Sequence, residues 1–385
     1  MTRAVQFGAG NIGRGLVGYV LRRSGYDVTF VDVVDDVVRQ LNTLGQYTVR
    51  ILTRAGDRLE TIDGVRAVHA ADVPTVVGAV AAAELVTTAV GPGVLPAVAE
   101  PIRDGLRRHN PAAAVNVIAC ENLTGNSTHL RSLVTGQTNW AVPAWAGFPD
   151  CVVDRIVTGS TDPQQPFTVT VEESFEFLVA RAGWVGPVPR IAGVVFVQAL
   201  EPYRVRKLWL VNGLHAAVAY LGAQRGYRRI AEAMQDSVIQ QIVQGVAAES
   251  VTALQHLHPV FAHEELAEYA SRSLGRFRDP RLSDPIARVA RDPLRKLSAN
   301  ERLCGPARVA VDAGLPARHL AQAIAAALAY RASDDPSAVQ LAEAVERQGW
   351  RAALIQAANL PPQHPLLELV AEVQGDQRSA GSPRV

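Results

Sequence analysis

The feature that most restricts the fold of this chain is Gly8-Ala9-Gly10-Asn11-Ile12-Gly13, which falls between an apolar run, Ala4 to Phe7, and a stretch of helical periodicity, Arg14 to Ser24. Glycines at this spacing let a backbone turn sharply out of a strand, and they leave no side chain between the turn and a pyrophosphate at the helix N-terminus. Alone, the spacing fits a tight structural turn equally well. Here Leu16, Val17, Val20 and Leu21 mark the helix, a second strand follows at Val28 to Val31, and Asp32 ends it nineteen residues beyond Gly13. A carboxylate there accepts hydrogen bonds from an adenosine ribose and repels a 2′-phosphate, and Val33-Val34-Asp35-Asp36 offers no arginine for one. The turn predicts a βαβ unit that holds NAD rather than NADP.

Strand-like runs at Leu85 to Val90 and Val115 to Ala119 alternate with helical stretches at Val76 to Ala83 and Val94 to Arg108. This is the pattern of the α/β class, a doubly wound parallel sheet of Rossmann type. Thr87-Thr88-Ala89-Val90-Gly91-Pro92 closes one of these strands at the carboxyl edge of the sheet. Thr88, Val90 and Gly91 are therefore read as a second cofactor-lining loop, against the alternative of an ordinary strand-to-helix turn. Phe167 to Phe177 alternates like antiparallel or edge strands, and the Pro/Gly-containing connection Gly183 to Gly193 marks a boundary. From about Lys207 the pattern is helical: Ala231 to Gln255, Glu264 to Ser273, His319 to Arg331, Ala338 to Gln348 and Arg351 to Ala358. The expected division is a cofactor-binding domain over residues 1–193, a mainly α-helical C-terminal substrate domain over 194–374, and a flexible polar tail over 375–385.

With 385 residues, 48% of them hydrophobic, the chain can bury the cores of two domains. Its 38 basic and 37 acidic residues leave a net charge of +1, which argues against a nucleic-acid binder that relies on counterion release. Cys120, Cys151 and Cys304 are too few and too scattered for a disulfide framework or a Cys-x-x-Cys metal site. His256, His258 and His263 do not have a spacing that gathers them on one helix face, and they read as a solvated helix end. No apolar run approaches the ~18–20 residues of a membrane span, and nothing marks the chain for export. The expectation is a cytoplasmic protein without metal, membrane or nucleic-acid partners.

Lys207-Leu208-Trp209-Leu210-Val211-Asn212-Gly213-Leu214-His215 concentrates polar groups within apolar sequence. At about 100° per residue, His215 lies roughly 80° around a helix from Lys207 and about 60° from Asn212, so the three can border one cleft. An alcohol losing hydride from its carbon must also lose its hydroxyl proton. Without a metal to acidify that hydroxyl, a side-chain base is required, and a lysine desolvated beside a positively charged nicotinamide qualifies. Asn122 and Asn212 can donate hydrogen bonds to the developing alkoxide. Read from the residues alone, Lys207 fits a snorkelling surface lysine better than a base, and His215 is as often a satisfied core histidine.

Five motifs in order settle the choice by resemblance. The Phe7-to-Gly15 glycine segment, Thr87 to Pro92, Ala119-Cys120-Glu121-Asn122, Val153-Asp154-Arg155-Ile156 and the Lys-x4-Asn-x2-His run together resemble the long-chain polyol-specific (mannitol) dehydrogenase family. Leu274-Gly275-Arg276-Phe277, Asp292 to Ser298 and Asp334-Asp335-Pro336 are similar to its branch acting on phosphorylated polyols. The likeness covers nearly all of the chain. It implies a metal-independent NAD oxidoreductase, monomeric, with catalysis in a cleft between a dinucleotide-binding and a helical domain. By position, Lys207 is implied to be the general base, Asn122 and Asn212 the alkoxide-binding amides, His215 a substrate hydroxyl partner and Asp154 a polar contact near the substrate. Tyr203-Arg204-Val205-Arg206 carries no acid where many relatives have one, which puts a carboxylate-gated proton exit in doubt. Arg276, Arg295, Lys296 and Arg302 lie in the segment implied to flank the cleft, with Arg276, Arg295 and Arg302 the candidates for a substrate phosphate. The expected small-molecule pair is a polyol phosphate and a ketose phosphate. The alternatives are a free-polyol or hexuronate oxidoreductase with the same machinery, and a non-catalytic NAD-binding sensor.

Overall fold

Strands buried on both faces need helices above and below them, and the first strands of this chain are of that kind. The computed structural model describes residues 2–53, 55–136, 140–159, 167–282 and 284–380. Two units divide at Leu200 and Glu201. The strands of the first are β1 (Arg3–Phe7), β2 (Asp27–Asp32), β3 (Gln46–Thr53), β4 (Gly56–Asp63), β5 (Val65–His69), β6 (Leu85–Thr88), β7 (Val115–Ala119), β8 (Ala146–Gly147), β9 (Cys151–Asp154), β10 (Val157–Gly159), β11 (Val169–Glu172), β12 (Glu176–Ala180) and β13 (Val194–Val197). A six-stranded sheet runs β5-β2-β1-β6-β7-β8 with every pairing parallel. Its order reverses between β1 and β6, which opens a crevice beyond the carboxyl ends of those two strands. Helices α1 (Tyr19–Arg23), α2 (Asp35–Leu44), α3 (Val73–Ala81), α4 (Leu95–Arg108) and α5 (Asn126–Thr135) make the crossovers.

Two smaller sheets complete this unit, β10-β11-β3-β4 and β13-β12-β9. The Phe167–Phe177 segment supplies β11 and the start of β12. Each of these is antiparallel to one neighbour and parallel to another, so neither is an edge strand. The β3–β4 hairpin is not among the elements expected from sequence. Strand β13 pairs with β12, so residues 194–197 belong to the first unit and not to the helical one.

Arg155 joins the small sheets to the glycine turn. Only 6% exposed, it donates from Nη1 to the Gly15 carbonyl at 2.7 Å and from Nε and Nη2 to the Glu172 carbonyl at 3.1 and 3.0 Å. Its guanidinium also lies over the rings of Tyr19 and Phe175. A buried cation is tolerated when its donors are occupied in this way.

The second unit consists of α6 (Glu201–Lys207), α7 (Leu214–Gln224), α8 (Ile230–Ala233), α9 (Ser237–Leu257), α10 (His263–Phe277), α11 (Ile286–Ala290), α12 (Pro293–Lys296), α13 (Cys304–Asp312), α14 (Arg318–Leu328), α15 (Pro336–Ala358) and α16 (Pro365–Ala380). Helix α7, Leu-His-Ala-Ala-Val-Ala-Tyr-Leu-Gly-Ala-Gln, is apolar almost all round, and α8, α9, α11 and α14 pack against it. A helix with no polar face can be satisfied only at the centre of a bundle. Tyr220, fully buried, places its hydroxyl on the Ala290 carbonyl at 2.8 Å. Gly349 breaks α15 with φ 81°, between the two stretches expected as separate helices. Helix α16 continues to Ala380, six residues into the expected tail, whose last residues, 381–385, lie outside those described. No helix among the described residues is long and apolar enough to cross a membrane.

Replacing Arg155 with alanine is expected to lower stability to urea by about 2–4 kcal/mol, because two buried carbonyls lose their donors. A loss below about 0.5 kcal/mol would mean that water replaces the guanidinium at no net cost.

Candidate active site

The glycine turn closes on itself. A Cβ on Gly13 would stand 1.9 Å from the Gly8 carbonyl oxygen, and one on Gly8, at φ 90°, would stand 2.7 Å from the carbonyl oxygen of Ala89. Gly10 meets nothing within 4 Å on the side a Cβ would occupy, so its outer face is open to a phosphate. Residues Gly13–Gly18 form a π-helical turn instead of the α-helical start expected there. Beside the turn lies a crevice of about 330 Å³, lined mainly by apolar side chains that include Val33, Val76 and Val98, with Asp32 among the lining residues. Asp32 accepts the Ala9 N–H at 2.6 Å through Oδ2 and the Val34 N–H at 2.9 Å through Oδ1. Asn11 is exposed and Ile12 half-buried.

Ala89 and Val90 line the same crevice, but the fully buried Thr88 does not, and its hydroxyl donates to Glu121 at 2.7 Å. Gly91 follows with φ 92°, turning the chain into α4. Asn122 is exposed on the turn after β7. Asn126 donates to the carbonyls of Glu121 at 3.1 Å and Cys151 at 3.0 Å, which ties that turn to the start of β9, whose last residue is Asp154.

In the second unit, Leu208–Gly213 is also π-helical. Bonding of the i→i+5 kind widens the turn, so Lys207 and Asn212, five apart, lie closer to one face than α-helical spacing predicts. Lys207, Asn212 and His215 are all half-buried. Gly213 makes room for a neighbouring segment, since a Cβ there would stand 2.6 Å from the Arg302 carbonyl oxygen. His215, in the first turn of α7, stacks on Phe277 with centroids 4.5 Å apart and planes 9° apart. Burial, with Arg288, Arg276 and Arg302 nearby, pushes its pKa down to about 4. Asp284, 3.8 Å from Nε2, opposes that shift but also pairs with Arg288.

The predicted phosphate arginines separate. Arg302 is largely buried and bonds Glu301 at 2.9 Å, and with Arg276 it depresses the His215 pKa. Arg295 is exposed and paired with Asp292 at 2.9 Å. Its neighbour Lys296 is the more telling cation. It is 4% exposed, and among the described residues no ion pair is formed by its ammonium. Burial, Arg302 and Arg295 lower its pKa to about 8, against the pull of Asp292 and Asp335. Sequence reasoning placed Lys296 in this region without a role, because adjacent cations look alike until one is buried. Asp292 carries a strained φ of 62°, held by its N–H on Asp335 Oδ2 at 2.8 Å.

A nucleotide-type crevice on a parallel sheet, followed by a helical unit bearing a lysine, an amide and a histidine, defines a two-unit oxidoreductase. Residues 2–193 match the mannitol dehydrogenase Rossmann domain and residues 199–375 the mannitol dehydrogenase C-terminal domain, so the chain belongs to the mannitol dehydrogenase family and is a polyol dehydrogenase. It is 42% identical over 374 residues to mannitol-1-phosphate 5-dehydrogenase of Bacillus licheniformis, covering 95% of this chain and 98% of that one. It is 39% identical over 372 residues to the enzyme of the same name from Bacillus subtilis, again covering 95% and 98%. In fold it resembles a D-sorbitol dehydrogenase (TM-score 0.80, 18% identity, 98% of this chain and 93% of that chain). It also resembles Pseudomonas fluorescens mannitol 2-dehydrogenase in a ternary complex with NAD and D-mannitol (TM-score 0.73, 20% identity, 99% and 92%).

His215 is expected to titrate near 4 when its ring signals are followed by NMR, and Phe277→Ala, which lets water reach the ring, moves it up toward the usual 6.5. The folded value lies below the unfolded one, so this group's contribution to stability is present above pH 6.5 and is lost as pH falls from there toward 4. A wild-type ring titrating at 6.5 would contradict the packing described.

Proposed function

We propose that the protein catalyses the reversible, NAD-dependent oxidation of D-mannitol 1-phosphate to D-fructose 6-phosphate, without a metal. The cofactor is NAD. The glycine turn, the open face of Gly10, the apolar crevice and the Asp32 carboxylate fit its pyrophosphate, adenine and ribose, and among the described residues no arginine lines that crevice to take a 2′-phosphate. NAD supplies the acceptor for the hydride that leaves the carbinol carbon.

The remaining chemistry falls to side chains. Lys207, as the free amine, takes the hydroxyl proton and becomes an ammonium, which returns the proton in the reverse direction. Asn122 and Asn212 donate to the oxygen as it gains charge. His215 stays neutral at physiological pH because of its lowered pKa, so it can both donate to and accept from a substrate hydroxyl without adding positive charge beside the base. Asp154 is assigned a polar contact near the substrate.

The observation that carries the phosphate half of the proposal is Lys296. A buried ammonium beside two arginines is costly unless an anion completes the set, and a phosphate does so. Arg302, largely buried beside Glu301, and Arg276 near His215 are the partners this reading gives it, while Arg295 is exposed and engaged with Asp292. The names of the Bacillus relatives point to the same substrate. The same reading takes the protein as cytoplasmic and monomeric.

Steady-state NADH formation with D-mannitol 1-phosphate, free mannitol and a hexonate, with and without a chelator, tests the proposal. A preference for the free polyol defeats the phosphate assignment, and loss of activity with chelator defeats the metal-free one. Lys207→Ala is expected to cut turnover ~10²–10⁴-fold while leaving NADH binding intact, and near-normal turnover would move the base elsewhere. Lys296→Met is expected to raise KM for the phosphorylated substrate well above any change for free mannitol. In the wild type that KM rises as pH climbs through about 8, where the ammonium is lost. A flat KM across pH 7–9 would remove Lys296 from the phosphate site.

A further inference from the structure

Glu121 stands inside a motif already noted, yet the reaction as proposed gives it no part. Strands β6 and β7 end side by side, Thr88 opposite Ala119, and each chain then leaves the sheet by its own loop. One backbone bond continues the ladder, from Cys120 N–H to the Thr88 carbonyl at 2.9 Å. Beyond it the Glu121 side chain, 5% exposed, reaches back to the first loop. Its Oε2 accepts the Thr88 hydroxyl at 2.7 Å, and its Oε1 accepts the Val90 N–H at 2.9 Å. Among the described residues no lysine, arginine or histidine pairs with it. The backbone of Glu121 is itself held, through its carbonyl, by Asn126.

A carboxylate is the side chain that offers two acceptor oxygens and no donor, so it can occupy a hydroxyl and a backbone N–H of one loop together. A glutamine of the same shape keeps one acceptor and turns an NH₂ toward the other donor. The loop so fastened abuts the glycine turn, because Ala89 is the residue that Gly8 touches, and its Val90 lines the crevice. The residue after Glu121 is Asn122. A continuous path therefore runs from the glycine turn through Ala89 and Val90 to Glu121 and on to Asn122.

We propose that Glu121 is a positioning residue, a clamp that holds the Thr88–Val90 cofactor loop and the Asn122 turn as one rigid mount. The proposal rests on the reading of Asn122 as an alkoxide-binding amide. Glu121 does not line the crevice, and the proposal gives it no contact with substrate or cofactor. It acts by fixing the distance between the crevice wall and that amide, a geometry in which a small misplacement costs much of the rate.

The test is a double-mutant cycle of Glu121→Gln with Asn122→Ala, read as kcat and KM on D-mannitol 1-phosphate, with NADH affinity followed by fluorescence. Glu121→Gln is expected to lower kcat at least ten-fold and to weaken NADH about five-fold, and most of its effect on kcat disappears when Asn122 is already alanine. Thr88→Val, which removes one of the two donors and keeps the shape, gives a smaller loss with the same dependence on Asn122. A folded Glu121→Gln enzyme with kcat within two-fold of wild type overturns the proposal, as does full additivity with Asn122→Ala, the mark of a merely structural residue. If Glu121→Gln fails to fold, the Thr88→Val cycle decides by the same criteria. If the wild type turns over no polyol phosphate, the functional reading falls by itself. The clamp is then judged by NADH affinity, and an unchanged value in Glu121→Gln rejects it.

Discussion

The contact on which the first unit depends is the one between Gly13 and the Gly8 carbonyl, where a single added carbon would stand 1.9 Å from oxygen. The turn that follows this closure is π-helical, and two of its carbonyls also accept side-chain donors. Other elements of the same unit provide them. Tyr47 of β3 gives its hydroxyl to the Arg14 carbonyl at 2.8 Å, and Arg155 gives Nη1 to that of Gly15. From below, the fully buried Gln6 bonds the carbonyls of Phe7 and Gly8 and accepts the Thr87 hydroxyl. The small sheets are thus more than decoration on the nucleotide-type sheet. They supply side-chain donors to the carbonyls of Arg14 and Gly15.

The second unit repeats the device without glycine repetition. Leu208–Gly213 widens where Gly213 is pressed against the backbone of Arg302, and the apolar α7 that follows anchors the turn in the bundle centre. The glycine turn and Leu208–Gly213 are therefore both wide turns braced by contacts with neighbouring backbone. Such turns are uncommon because they forgo the regular i→i+4 ladder, and they persist where side chains must be presented at angles an α-helix cannot give.

What could be read from sequence follows the same physics. The βαβ unit, Asp32 and the long helices were legible because buried strands and amphipathic helices impose periodicities that survive in the residue order. The β3–β4 hairpin was not. Tyr47, Val49 and Ile51 alternate inward, but Arg58, Leu59 and their neighbours in β4 are mostly exposed and leave no apolar pattern. Strand β13 was not legible either, because its partner, β12, lies fourteen residues back across a Pro/Gly stretch. In the site, residue types were legible and their angles were not. A rule of 100° per residue cannot foresee a π turn, and nothing in Arg295-Lys296 says which cation is buried.

The electrostatics of the second unit could not be inferred from composition, since a chain of net charge +1 gives no hint of where positive charge gathers. Arg276, Arg288 and Arg302 act together on His215, and Arg295 and Arg302 on Lys296. Arg302 belongs to both sets, so one buried guanidinium helps keep the imidazole neutral and the ammonium short of a counter-charge. Acidic neighbours oppose this field: Asp284 acts on His215 while shared with Arg288, and Asp335 spends an oxygen on the strained Asp292 backbone. Burial is the larger cause of the lowered His215 pKa, and the arginines add to it. Arg276 and Arg302 are also the arginines that the proposed reaction assigns to a substrate phosphate, so the lowered His215 pKa and that proposed site draw on shared charge.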